Sequence, residues 1–249
     1  MLSTTFIHIA GIGPKTERRI WERGIHCWED FLKVPAAAGL SPGKSERAVE
    51  TISRSVERLR LKDHRFFAQA LAPREQWRAF PDFNHRVAYL DIETTGMGNY
   101  DAVTLIGIYD GRDTRIYTKG ENLQQFLDDI GQYSLLITFH GACFDLPFLR
   151  MRFPQVRFDQ LHIDLCPALR RLGLTGGLKK IEQQLGLSRS PETEGLDGWE
   201  AVRLWREWER GSQEALELLK AYNREEVVNL EALMGYAYKE LCVKTGLPI

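Results

Sequence analysis

The sequence has few of the features that mark secreted, zinc-binding and membrane proteins. Only four of its 249 residues are cysteine, and they are widely separated and form no Cys-x-x-Cys pair. This scarcity argues against a disulfide framework and a zinc site, so buried reduced thiols are expected. No apolar run approaches the length of a membrane span, and the first residues lack a basic stretch followed by an apolar core. We therefore expect a cytoplasmic protein with no membrane partner.

Net charge is also nearly absent, because 33 Lys and Arg residues stand against 34 Asp and Glu residues. The balance is uneven along the chain, since residues 1–84 carry an excess of bases and residues 85–249 an excess of acids. A clustered acidic region is typical of a divalent-cation site. The basic region is compatible with contacts to phosphate groups.

Two regions differ in their predicted secondary structure. Turn and capping signals in the first predict helices over residues 14–24, 28–34 and 44–61. The stretch APREQWRAFPDF has a proline near each end and is interpreted as a connector. The predicted organisation is a small all-helical domain over 1–72, a connector over 73–84 and a larger domain over 85–249.

The larger region has the element order of an α/β domain. Its predicted strands cover 86–92, 103–109, 113–118 and 134–140, with a short extended piece near 162–164. The first three strands form a meander, and a helix over 121–131 leads to the fourth. Further helices are predicted over 145–152, 165–172, 178–185, 198–210 and 212–240. This order predicts a mixed sheet flanked by helices.

The stretch VAYLDIETTGMG places two acids on one predicted strand. Asp91 and Glu93 share one face of that strand, because side chains alternate with period two. At a separation of about 6 Å, two such charges repel by roughly 3 kcal/mol at an effective dielectric of about 20. A strand end alone does not require this arrangement, so we expect a positive group between them.

Two other segments offer acids near the ends of elements. Asp145 follows a strand and a glycine-containing loop in the stretch ITFHGACFD. Tyr222 and Glu226 are spaced i,i+4 in the stretch YNREE and therefore share a helix face. In α/β folds, ligand sites form where such strand ends and loops meet.

The three motifs DIETTG, HGACFD and YNREE resemble those of the DEDD exonuclease superfamily, in its tyrosine-containing branch. The sequence is most similar to the YprB-like ribonuclease-H-like proteins, and the similarity extends to GIGPKTERRIWERGI and GLKKIEQQLGL. The resemblance covers nearly the whole chain. It implies a ribonuclease-H-like (DnaQ-like exonuclease) fold and a metal-dependent 3′→5′ exonuclease acting on single-stranded DNA or RNA.

The resemblance also implies a role for each acid. Two divalent cations, Mg²⁺ or Mn²⁺, are expected, because such hard ions take carboxylate oxygens. Asp91 would bridge both ions, Glu93 and Glu226 would bind the ion on the nucleophile side, and Asp145 would hold the second ion. Tyr222 would orient the attacking water without ionising.

One position departs from the family pattern. The third motif ends in Glu226 where the pattern has Asp, and Glu225 is an alternative ligand with a less suitable spacing. Glutamate is one methylene longer, so coordination could be altered. An alternative interpretation is a ribonuclease-H-like module that binds nucleic acid with impaired catalysis.

The remaining candidates concern nucleic-acid contacts. The stretch AGIGPK resembles half of a helix-hairpin-helix, in which Gly11, Gly13 and Lys15 would contact a phosphate; the alternative is a tight turn beneath a packing helix. Other residues proposed to contact nucleic acid are Thr94, His140, Arg170, Lys179 and Lys180. The last three belong to a basic stretch with Arg171 and Arg189, part of which is expected to face solvent.

Two further expectations concern structure. Asp164 either approaches the site or caps the helix that follows it. The six tryptophans, such as Trp205 and Trp208, are expected in the core. No obligate protein partner is evident.

Overall fold

Residues 2–98 and 101–248 are described in this structure, a computed structural model. The chain divides into two units. The first comprises Met1–His85, Asp159–His162 and Tyr238–Ile249, and the second comprises Arg86–Phe158 and Ile163–Ala237. The domain limits predicted from the sequence, 1–72 and 85–249, stay a prediction.

The first unit is helical over most of its described residues. Its α-helices are α1 (Pro14–Glu22), α2 (Trp28–Lys33), α3 (Pro42–Arg60), α4 (His64–Ala70) and α5 (Phe80–Phe83). The stretch expected to be a connector contains a 3-10 helix, Pro73–Ala79, followed by α5, and side chains 75–79 are buried. Both prolines lie in the first turn of their helices, where a missing amide hydrogen does no harm. They therefore start helices here.

A buried ionic network lies inside the first unit. The guanidinium of Arg78 donates to Glu75 at 3.0 Å and to Glu17 at 3.1 Å, and its side chain is only 2% exposed. Glu17 also accepts a hydrogen bond from the amide of Phe6 at 2.7 Å. Buried charges are tolerated only when paired in this way.

The second unit is built on a five-stranded mixed sheet in the order β3-β2-β1-β4-β5. The strands are β1 (Val87–Thr94), β2 (Val103–Tyr109), β3 (Thr114–Thr118), β4 (Leu135–Thr138) and β5 (Leu161–Asp164). The first three pair antiparallel, and β4 pairs parallel to β1. The predicted meander and mixed sheet are confirmed.

Helices follow the strands in the order that the sequence predicts, with differences in length. They are α6 (Gln125–Asp129), α7 (Asp145–Arg152), α8 (Leu165–Arg170), α9 (Leu178–Gln184), α10 (Gly198–Glu209) and α11 (Gln213–Thr245). The helix expected over 121–131 is shorter, because Asn122 accepts the amide of Thr118 and forms a turn first. Within the described residues, no helix combines the length and apolar character needed to cross a membrane.

The two faces of the sheet belong to different cores. Leu90 and Ile92 of β1 pack in a cluster with Phe126 and Leu149. On the other face, Leu105 of β2 packs with residues of α10 and α11, among them Trp205, Leu219 and Tyr222. Because side chains alternate along β1, Asp91 and Glu93 point toward the face covered by α10 and α11.

The Arg78 network generates the first testable prediction. Arg78→Met leaves two buried carboxylates without their cation, so the unfolding free energy should fall by about 3–5 kcal/mol. Arg58→Met removes a partly exposed pair with Asp63 and should lower it by about 1 kcal/mol or less. Urea unfolding of both variants measures the difference. Equal effects would contradict a structural role for the buried network.

Candidate metal centre

Three acids from two distant segments form a cluster. Ligand oxygens of Asp91 and Glu93 on β1 and Glu226 on α11 all lie within 4.8 Å of one another. Glu93 and Glu226 are buried, with 7% and 8% of their surface exposed. The periods of a strand and of a helix predicted the pairs Asp91–Glu93 and Tyr222–Glu226, and the family resemblance implied that these acids share one site.

Asp145 lies in the same cavity as these three acids. It begins α7, directly after the loop that follows β4, and lines a cavity of about 550 Å³ together with the cluster. Its side chain is buried, and its Oδ1 atom has no hydrogen-bond partner among the described residues. The same is true of Oε1 of Glu93.

These unpartnered oxygens test whether the site fits a metal ion. A buried carboxylate oxygen is expected to accept a hydrogen bond or bind a cation. The donor set contains only oxygen, which suits the hard ions Mg²⁺ and Mn²⁺ rather than zinc. The residues present therefore fit a divalent cation.

The electrostatics of the cluster agree with this fit. Burial raises the pKa of Asp91 well above its ordinary value, and the charges of the other three acids raise it further. Burial and the charge of Glu226 likewise raise the pKa of Glu93. Burial raises the pKa of Asp145 to about 7, and nearby carboxylates contribute to this shift. The acids retain protons unless a positive group compensates for their charges.

Tyr222 contacts the cluster as a neutral group. Burial raises the pKa of its phenol, and the charge of Glu226 raises it further. The side chain is 4% exposed and lines the cavity beside Glu226. Tyr222 therefore remains protonated and can orient a water or an acceptor near the cluster.

Asn223 and Gly107 position Asp91, and the sequence reasoning missed both. The Asn223 amide donates to Oδ2 of Asp91 at 2.9 Å. Gly107 lies opposite Asp91 in the β1–β2 register, and a Cβ there would lie 2.0 Å from Oδ1 of Asn223. A glycine inside the apolar strand VTLIGIY was the available signal, since such glycines mark close approaches.

Arg189 was also missed as a residue of the site. It donates to Glu226 at 3.1 Å and to both oxygens of Glu182, at 2.7 and 3.1 Å. Its side chain is 4% exposed, and its guanidinium lies 5.4 Å from the ring centroid of Tyr222. Although burial alone would lower the pKa of Arg189, the paired carboxylates raise it. Arg170 and Lys180 are exposed, as expected for part of this basic stretch, whereas the side chain of Arg189 is buried.

Glu225, the alternative ligand, makes different contacts. Its carboxylate accepts hydrogen bonds from the amide of Ser190 and the hydroxyl of Thr193. These hydrogen bonds lower its pKa, although burial opposes the shift. Glu225 therefore attaches the loop after α9 to α11, whereas Glu226 points toward the acids.

The loop after β4 is held by Asp164. This residue accepts the amides of His140 and Ala142 at 2.9 and 3.1 Å and caps α8 through the amide of Cys166. His140 has a positive φ of 66° and lines the cavity. Thus the capping alternative for Asp164 is correct, and the residue also shapes the loop that leads to Asp145.

The cavity wall includes apolar side chains. Met97 is 78% exposed and Trp199 is 73% exposed, and both line the cavity with the acids. The expectation that all tryptophans lie in the core is therefore wrong for Trp199, although Trp205 is buried. Asp197 caps α10 through the amides of Trp199 and Glu200. This capping places Trp199 in the first turn of α10.

The other predicted contact residues lie in several places. Thr94 lines the cavity, whereas Arg170, Lys179 and Lys180 do not. The Lys179 ammonium is 5.9 Å from the ring centroid of Tyr222. Gly11 has a positive φ of 84°, and Gly13 precedes Pro14 at the start of α1. Lys15 borders a shallow surface pocket on the same helix.

The cysteines agree only partly with expectation. Cys166 and Cys242 are buried, but Cys143 is exposed and lines the cavity. All four thiols are free. The acids described above supply only oxygen ligands, so none of the four thiols is required as a metal ligand.

Comparison with known families agrees with this fold. A sequence profile of the RNase_H superfamily matches residues 88–238, which is more than half of the chain. The chain therefore belongs to the RNase_H superfamily, and its mixed sheet with flanking helices is ribonuclease-H-like.

The other comparisons do not narrow the family assignment further. No curated protein matches the sequence. Among solved structures, the chain is similar to the family B DNA polymerase from the hyperthermophilic archaeon Pyrobaculum calidifontis, with a TM-score of 0.47 and 15% identity. The similarity covers 63% of this chain and 24% of the polymerase chain, so this chain spans less than two thirds of that protein.

The raised carboxyl pKa values generate a prediction for the metal-free protein. Because the pKa of Asp145 rises from 3.8 to about 7 on folding, the folded state binds more protons than the unfolded state between these values. The Asp145 carboxyl therefore makes its full contribution to the free energy of unfolding below about pH 4. This contribution is lost as the pH rises toward 7, at up to about 1.4 kcal/mol per pH unit.

Asp145→Asn should remove this part of the pH dependence. Urea unfolding in chelator at pH 5, 6 and 7 should show a smaller loss for the variant than for the unaltered chain. Asp128→Asn, at an exposed position of α6, is the control and should follow the unaltered chain. Parallel curves for all three proteins would contradict the raised pKa.

Proposed function

We propose that this protein is a metal-dependent nuclease that hydrolyses phosphodiester bonds, a 3′→5′ exonuclease on single-stranded DNA or RNA. One observation carries the proposal: oxygens of Asp91, Glu93 and Glu226 lie within 4.8 Å of one another, and Asp145 lines the same cavity. The motif resemblance to YprB-like proteins of the tyrosine-containing DEDD branch supports the direction of cleavage.

In this proposal the four acids hold two divalent cations, Mg²⁺ or Mn²⁺. Such ions supply a stronger nucleophile from water and stabilise charge on the leaving oxygen. Asp91 would help to hold both ions, Glu93 and Glu226 would hold the ion on the nucleophile side, and Asp145 would hold the other. Asn223 keeps Asp91 in place through its hydrogen bond.

Tyr222 has a positioning task for the nucleophile. Since its phenol stays protonated and borders Glu226, it can donate to or accept from a water without changing charge. Because the phenol keeps its proton, it adds no negative charge to a cluster that already contains several carboxylates.

The cavity wall supports a single-stranded substrate. Unstacked bases have flat apolar faces that aromatic side chains can contact, and exposed Trp199 lies on the wall next to the acids. Thr94 and His140 are proposed to contact the substrate in the same cavity. Arg170, Lys179, Lys180, Gly11, Gly13 and Lys15 are proposed to contact the phosphate backbone.

A second candidate function is a nucleic-acid-binding module with weakened catalysis. The observation that favours it is the 3.1 Å pairing of Glu226 with Arg189, at the position where the family pattern has Asp. A pure binding protein, however, does not require four acids in one cavity. We therefore favour the nuclease.

Digestion of end-labelled oligonucleotides in Mg²⁺ or Mn²⁺ tests the proposal. A 5′-labelled single strand should yield a ladder of shortening products, and a 3′-labelled strand should release labelled mononucleotide. Asp91→Asn should lower the rate by roughly 100-fold or more, because a neutral amide is a poor ligand for hard cations.

The matched control is Glu231→Gln, at an exposed position on the same helix as Glu226. It should cleave at the unaltered rate. Retained cleavage by Asp91→Asn, or binding of the oligonucleotide with no cleavage by the unaltered chain, would contradict the nuclease proposal.

The length of Glu226 is a separate prediction. Glu226→Asp shortens the side chain by about 1.5 Å, which is large relative to coordination bonds of about 2.1 Å. A site adapted to glutamate should then cleave roughly tenfold more slowly or worse. Initial rates in Mn²⁺ measure this change. A large gain in rate would instead indicate that the natural protein is an attenuated nuclease, as the second candidate function states.

A further inference from the structure

Arg189 is an unusual residue beside a cation site. Its side chain is 96% buried, and long charged side chains are almost never so buried unless they are paired. Its positive charge would by itself repel a metal ion at the acids, since Glu226 lies only 3.1 Å away. The fold nevertheless places this positively charged side chain beside the acids. Arg189 must therefore contribute by orienting a neighbouring group and not through its charge.

The contacts of Arg189 hold it in one orientation. Glu182 on α9 binds the guanidinium through both carboxylate oxygens, and Asn229 on α11 donates to Glu182 at 3.0 Å. A two-oxygen pairing fixes the plane of a guanidinium more strictly than a single bond. The remaining donor direction toward Glu226 is therefore set by α9 and α11 together.

The loop that carries Arg189 is attached to the same helix. Glu225 accepts hydrogen bonds from Ser190 and Thr193 in that loop. The two neighbouring acids of α11 thus make different contacts. Glu225 holds the loop, and Glu226 accepts a hydrogen bond from Arg189 of that loop. This arrangement fixes the distance between Arg189 and α11.

We propose that Arg189 is a positioning residue that holds the longer side chain of Glu226 in the orientation needed to bind a divalent cation. This inference rests on the proposed function. One oxygen of Glu226 accepts from Arg189, and the carboxylate also reaches the cluster with Asp91 and Glu93. An aspartate, being shorter, could not serve both contacts from the same backbone position. The contact with Arg189 therefore explains why position 226 has glutamate and not aspartate.

Direct binding of Mn²⁺ tests this role, because charge and geometry predict opposite signs. Removing a nearby positive charge should strengthen cation binding if Arg189 acts only through its field. If Arg189 positions Glu226, Arg189→Met should weaken binding, by about tenfold in Kd, as is typical for partners of metal ligands. Titration calorimetry of the chelator-treated chain with Mn²⁺ alone measures Kd without activity.

Two further variants control for misfolding and for unspecific effects of charge. Arg189→Met leaves the buried charge of Glu182 without its cation, so the double variant Arg189→Met/Glu182→Gln, which removes both charges, should show the same tenfold loss. Arg203→Met removes an exposed arginine of α10 that pairs with Glu200 and Glu207 and should leave the Kd unchanged.

A double-mutant cycle tests whether Arg189 acts through Glu226. If it does, Glu226→Asp and Arg189→Met each weaken Mn²⁺ binding about tenfold, and the combination weakens it by about the same factor rather than about 100-fold. A multiplicative effect would reject the proposal, because the two residues would act independently.

The outcomes separate this inference from the function on which it rests. If the unaltered chain binds no Mn²⁺, the proposed function fails. If the unaltered chain binds Mn²⁺ while the Arg189 variants bind it equally well or more tightly, the positioning role alone is overturned.

Discussion

Four carboxylates that line one cavity repel one another, and this repulsion sets the requirements for the residues around them. Oxygens of Asp91, Glu93 and Glu226 lie within 4.8 Å of one another, and the burial of Glu93 and Glu226 limits the screening of their charges by water. The result is a set of raised carboxyl pKa values, with that of Asp145 near 7. Bound protons or cations stabilise such a cluster by reducing its negative charge.

The surrounding structure limits how far these acids can move apart. Asp91 and Glu93 belong to β1, which pairs with strands on both sides, and Glu226 lies on the long helix α11. Asn223 binds Asp91 and Arg189 binds Glu226. Side-chain adjustment alone therefore cannot relieve the repulsion, because each of these two acids has a partner that fixes its position. Preorganisation of this kind lowers the reorganisation needed when charge develops during a reaction.

Local periodicity and the family resemblance together explain why much of the site could be predicted from the sequence. The i,i+2 spacing of Asp91 and Glu93 and the i,i+4 spacing of Tyr222 and Glu226 follow from strand and helix geometry alone. Asp145 was located by its place after a strand. Arg189 could not be found in this way, because its pairing with Glu182 and Glu226 depends on how α9 and α11 pack. Trp199 was misjudged because helical spacing cannot show which face of α10 lies at a cavity wall.

Diffraction from crystals grown with Mn²⁺ tests most directly whether the acid cluster is a divalent-cation site. The anomalous scattering of manganese locates the ion independently of any assay. We expect an anomalous peak coordinated by oxygens of Asp91, Glu93 and Glu226, with a second ion bound by Asp145. Well-ordered carboxylates with no peak between them, at Mn²⁺ concentrations that occupy other sites, would contradict it.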